Sequence, residues 1–166
     1  MSGVIFGPSA IAQLEDDIVE RLGEALPVDE LRLMAWPDQP LDTGKPLGRA
    51  AVMVRFSRLR LDPISRRTTG PTVQTGELDI EIRYLVKGLR SHTGAYPLIA
   101  LTTDTLAGYM PQPSTLIDGM AAQLPGFYAL VAQLVDHDKS VGVWDWGQMF
   151  RLNIDYRGRK GNGRRR

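Results

Sequence analysis

Gly76-Glu-Leu-Asp-Ile-Glu-Ile-Arg-Tyr-Leu-Val-Lys-Gly88, then Leu89-Arg-Ser-His-Thr-Gly94, then Ala95-Tyr-Pro-Leu-Ile-Ala-Leu-Thr-Thr-Asp-Thr-Leu-Ala107, is the stretch that decides the fold. Its first part alternates. Leu78, Ile80, Ile82 and Tyr84 point one way, and Asp79, Glu81 and Arg83 the other, so a strand with one buried and one wet face is predicted over 76–86. The period then changes. Leu98, Leu101, Thr102, Thr105 and Leu106 share one helical face, and Pro97 suits a first helical turn. A strand therefore feeds a helix through a short Gly-bounded loop.

Upstream, residues 9–26 read as an amphipathic helix. Ser9 is its N-cap, Ile11, Leu14, Ile18, Leu22 and Ala25 its inner face, and Glu15, Asp16, Asp17 and Glu20 its outer face. Gly23 weakens the last turn and Pro27 ends it. Residues 31–36 are a short strand candidate, and 37–49, with three prolines and two glycines, a loop. Residues 50–61 read as a strand in which Val52, Val54 and Phe56 alternate with Met53, Arg55 and Ser57, with Arg58 and Arg60 outward. The polar 62–75 segment joins this strand to 76–86 as a long protruding loop of an antiparallel pair.

Downstream, 108–113 is a break and 116–127 is poorly patterned. Residues 127–135 fit either period. Gly126 before them and a polar turn over 137–140 after them favour a strand. Residues 141–156 form the last strand, with Phe150, Leu152, Ile154 and Tyr156 alternating with Arg151, Asn153 and Asp155, and Gly147 marking a bulge. The order is helix, two or three strands, helix, two strands. It predicts an α+β fold: a mostly antiparallel sheet with two main helices packed on one face, a two-layer sandwich.

The 166 residues suit one domain, and 43% apolar residues are enough for a core. There is no cysteine, which excludes a disulfide scaffold, a thiolate metal site and a cysteine nucleophile. The first residues lack the basic and apolar regions of a signal peptide, and no apolar run approaches a membrane span, so a soluble, intracellular chain without membrane contact is expected. The last ten residues carry six cations, Arg157, Arg159, Lys160, Arg164, Arg165 and Arg166, and no anion. The whole-chain charge of +1 then leaves −5 on residues 1–156. The reading is one domain over 1–156 followed by a basic tail over 157–166, disordered when free and able to contact phosphates.

Catalytic patterns are absent from the sequence. His92 and His137 fall in loops without metal-ligand spacing, and there is no phosphate-binding glycine loop and no nucleophile elbow. Asp79 and Glu81 are close enough to cooperate, but Arg83 continues their face, and the wet side of a strand accounts for all three. Trp144 and Trp146 share one side of a strand, which suits a core or a subunit seam better than base stacking. No catalytic residue, metal or cofactor is expected.

By order and spacing, about nine-tenths of the chain resembles the tail terminators and related tail-completion proteins of Mu-like and lambda-like long-tailed bacteriophages. The matching stretches are Ile11–Leu22, the Trp36-Pro-Asp38 turn, Ala51–Phe56, the long polar loop, Leu78–Tyr84, Gly94-Ala-Tyr-Pro-Leu98, Gly142-Val-Trp-Asp-Trp146 and Phe150–Tyr156. The resemblance implies a virion subunit assembled in the host cytoplasm. Six copies would form a ring that caps the head-proximal end of the tail tube, stops its growth and meets a head-completion or neck protein, with DNA passing the bore. The length of the polar loop and the arginine-rich end are less typical, and no role is carried over to them. From exposure and residue type alone, Arg58, Arg60, Arg66 and Arg67 are expected at contacts, and Trp144 and Trp146 at a subunit seam. The alternative reading is a nucleic-acid-binding module that uses the basic tail.

Overall fold

The computed structural model describes residues 9–38, 50–64 and 73–157. The elements are α1 (Ala10–Gly23), β1 (Arg32–Ala35), β2 (Ala50–Leu61), β3 (Val73–Val86), α2 (Ala95–Leu106), a single 3-10 turn (Pro113–Thr115), β4 (Met120–Ala122), β5 (Tyr128–Asp138) and β6 (Val143–Arg157). The strands make one six-stranded sheet in the order β1-β2-β3-β6, with β4 and β5 sharing the far side of β6. Every pairing is antiparallel except β1 with β2. The fold is α+β, dominated by this sheet.

The alternation at 76–86 has the expected result on one side. Leu78, Ile80, Ile82 and Tyr84 are buried, level with Phe150 and Leu152 on β6 and Val52 and Val54 on β2. Leu14, Ile18 and Leu22 of α1 and Ala95, Leu98, Thr102 and Leu106 of α2 cover that face. Each such Leu or Ile side chain contributes about 1.5–3 kcal/mol through lost apolar surface. Leu98, Thr102 and Leu106 of the expected face are buried, and Ala95 joins them while Leu101 is exposed, so the face is rotated by only about a tenth of a turn from its expected position.

α1 starts where Ser9 predicts. The Ser9 hydroxyl accepts from the Ala12 N–H at 3.2 Å. Replacing Ser9 by Ala should cost about 1 kcal/mol, read as a lower urea midpoint with unchanged slope. The helix ends at Gly23, three residues before the expected stop; 24–26 form turns that still bond back to Arg21 and Leu22. β3 begins at Val73, not 76, and residues 65–72 of the expected loop lie outside the described residues. β6 runs to Arg157, whose N–H donates to Gly119, so Arg157 belongs to the sheet rather than to the tail.

The ambiguous segment is a strand, β5. It extends through His137, which sits in the sheet and not in a loop; the turn is 139–142. The bulge expected at Gly147 lies in its partner instead: the register of β5 against β6 shifts between Ala129 and Val131 and between Leu134 and Asp136. Gly147 serves close approach. A Cβ there would lie 3.2 Å from both Glu81 Oε1 and Val135 Cγ2. Another bulge, between Phe56 and Arg58, resets β2 so that Arg55, Arg58 and Arg60 share one face while Phe56 and Leu59 share the other.

Candidate interaction surface

The helix-free face of the sheet was expected to be wet. It carries ion pairs packed closely enough to exclude water from their centre. Asp79 is 3% exposed. Its carboxylate accepts from Arg151 Nε at 2.8 Å and Nη2 at 3.0 Å, and from Arg58 Nη2 at 3.0 Å. Glu77 lies within ion-pair distance of Arg58, Arg60 and Arg151. Glu81 accepts from Arg55 Nε at 2.6 Å and from Arg83 Nη1, and Arg83 also holds Asp145 through two bonds. Trp36 lies beneath Arg55 and Arg83, with their guanidinium carbons 4.6 and 5.7 Å from its ring centre.

Burial would raise the pKa of Asp79, but hydrogen bonds and charge from Arg151, then from Arg58, outweigh it and hold the carboxyl below its ordinary value. Arg83 is also displaced. Burial would lower it, and Asp145 and Glu81 more than compensate, so its pKa is raised. The face is therefore a neutralised lattice of charge rather than a free basic patch. Arg58 and Arg60, expected at contacts, are half-exposed and already paired inside the chain. Arg66, Arg67, Arg159, Lys160, Arg164, Arg165 and Arg166 fall outside the described residues.

Trp144 and Trp146 do lie on one side, the helix face, packed against the core. Trp146 meets Tyr96 of α2 edge-on at 5.9 Å, and His137 stacks on Trp144 at 3.6 Å. The buried indole N–H of Trp146 has no acceptor among the described residues. His92 pairs with Glu30 at 2.6 Å. Glu15 and Asp17, expected as helix surface, hold tertiary contacts: Glu15 accepts from the Phe56 N–H at 2.6 Å and Asp17 from the Tyr109 hydroxyl. Asp17, Glu20, Arg21, Glu24 and Tyr109 line an open groove of about 200 Å³, where Arg21 covers the Tyr109 ring at 4.4 Å. Among the described residues, no group of three or more His, Cys, Asp or Glu could hold a metal ion. No helix among them is long and apolar enough to cross a membrane.

The sheet border at β5 was not singled out from sequence. β5 pairs with β6 on one side, and no described strand pairs with the other. Leu130, Val131, Leu134 and Val135 are each 43–47% exposed. Residues 128–135 contain no charge, proline or glycine. Sheet borders are usually blunted by charges, prolines or bulges; β5 has its two bulges but neither charge nor proline over 128–135. The signal was the pair of apolar doublets, Leu130-Val131 and Leu134-Val135. They offer apolar side chains to both faces of one strand, which no single buried face requires.

No protein-family model matches the chain, and no curated protein sequence matches it. Among solved structures, a chain of the "Virion of native gene transfer agent (GTA) particle" is similar at 17% identity, over 89% of this chain and 92% of that one, with a TM-score of 0.48.

Proposed function

We propose that this chain is a non-catalytic virion building block of the tail-terminator type. Its copies close into a ring, six by the resemblance, on the head-proximal end of a tail tube. The observation that carries the reading is the open β5 border. It is an eleven-residue strand with apolar side chains on both faces and no gatekeeping charge over 128–135. A strand of that kind is best satisfied by backbone pairing with another chain. The resemblance in element order and spacing names the particular class.

In this reading one ring face matches the last tube ring and ends growth, because the opposite face does not match another tube subunit. The opposite face meets the head-completion protein, and the bore passes DNA. Arg66 and Arg67 of the polar loop would reach an adjacent ring, and Trp144 and Trp146 would lie beside a subunit seam. Light scattering and negative-stain microscopy of the purified protein test the reading. A sixfold annulus, free or on tube ends, is the expected result. A strict monomer that retards DNA would replace it with the nucleic-acid reading, which draws on the segregation of six cations into 157–166. In that case deleting 158–166 would abolish a steeply salt-dependent affinity.

A further inference from the structure

Residues directly opposite each other in neighbouring strands point to the same face, so the register can be followed across the sheet. One row runs Arg32, Ala51, Leu85, Asp145, Asp136. It starts on the outer border of β1 with a cation and ends on the outer border of β5 with an anion. Both residues lie on the helix-free face and both are exposed. The next row runs Leu33, Val52, Tyr84, Trp146, Leu134, with an apolar residue at each end on the helix face. Val135 is the extra residue of the β5 bulge between these two rows. The third row ends in Met34 and Gln133, and the fourth in Ala35 and Ala132. Following the pairings from strand to strand, β1 and β5 run antiparallel.

We infer that β5 of one copy pairs antiparallel with β1 of the next, with Asp136 level with Arg32 and Leu134 level with Leu33. The occupant of the β5 border is thus a second copy of this chain. The two borders are complementary in register in three of these four rows, cation to anion, leucine to leucine and alanine to alanine, with Met34 facing Gln133 in the other, on the correct faces and in the correct direction. Continued from copy to copy, the contact is head to tail, joining two different borders, and it closes only as a cyclic ring. Pairing of β5 with another β5 would leave the Arg32 border unused and Asp136 without a cation. This inference rests on the ring reading and specifies its seam.

The absence of cysteine makes the test clean. Opposed residues in an antiparallel pair have Cα atoms about 4.5–5.5 Å apart, within disulfide range. The full chain carrying Arg32→Cys and Asp136→Cys, oxidised under mild conditions, should give a covalent ladder on a non-reducing gel that ends at the ring size. Each single variant should stay uncrosslinked. In parallel, Arg32→Asp or Asp136→Arg alone should weaken association by about tenfold or more, and the two swaps together should restore it. Covalent dimers from Asp136→Cys alone would overturn the inference in favour of β5 self-pairing. Annuli that persist through both single charge reversals, with no ladder, would overturn the seam and leave the ring standing. A wild-type chain that stays monomeric overturns both.

Discussion

A chain carrying Val131→Lys and Leu134→Lys is expected to fold as the wild type does and to remain monomeric where the wild type assembles. The two side chains project to opposite faces of β5. Val131 is level with Met149 on the helix-free face, and Leu134 with Trp146 on the helix face. One lysine therefore enters the contact whichever face a neighbour covers. At 44% and 46% exposure, neither residue belongs to the core, and a lysine stem keeps much of the local packing while its ammonium reaches water. The change to the isolated fold should stay within about 1 kcal/mol. An added strand is different. There the ammonium groups lose water without gaining a partner, at several kcal/mol per seam, which weakens association at least about a hundredfold. Sedimentation velocity reads the assembly, and near-ultraviolet circular dichroism with thermal melts reads the fold. Unchanged assembly of a well-folded double variant would remove β5 from the contact surface.

The alternation at 76–86 made the central strand legible because all its even positions from 78 to 84 are apolar. The same alternation misread the other side. Asp79 and Glu81 are polar, and polar residues on a strand read as solvent-facing. They are buried because five arginines from β2, β3 and β6 converge on that face. Which arginines converge depends on register, and register depends on the bulge at Phe56 and Arg58, which no period reveals. β5 was obscured in the same way. Its two bulges break the period of 2, so 127–135 fits a helix as well as a strand. His137 looked like a turn residue because it lies among Asp136, Asp138 and Lys139, yet its ring stacks on Trp144 within the sheet. What the proposed contact surface requires, an exposed apolar border, was present as composition at 130–135 but acquires meaning only because, among the described residues, no strand pairs with the second side of β5.

Replacing Asp79 by Ala should destabilise the fold by about 2 kcal/mol and flatten its response to acid. The loss of a buried pair typically costs ~3–5 kcal/mol when it strands a buried charge. Here Arg151 is 19% exposed and Arg58 52% exposed, so both guanidinium groups recover part of their hydration and the cost is smaller. The sign of the pH effect follows from the direction of the Asp79 shift. Its folded pKa lies below the ordinary value of 3.8, so the folded chain binds fewer protons there than the unfolded one. The stabilisation is fully present above that value and is lost as pH falls through the lower folded pKa. Urea midpoints measured from pH 7 down to pH 2 should therefore drop less steeply below about pH 4 in Asp79→Asn than in the wild type. The Asn variant keeps the volume and one acceptor, so it separates the charge from the packing that Ala also removes. An acid limb equally steep in both chains would show that Arg58 and Arg151 do not stabilise the ionised Asp79. The arginines would then be held on this face by their aliphatic stems and by Glu77 alone.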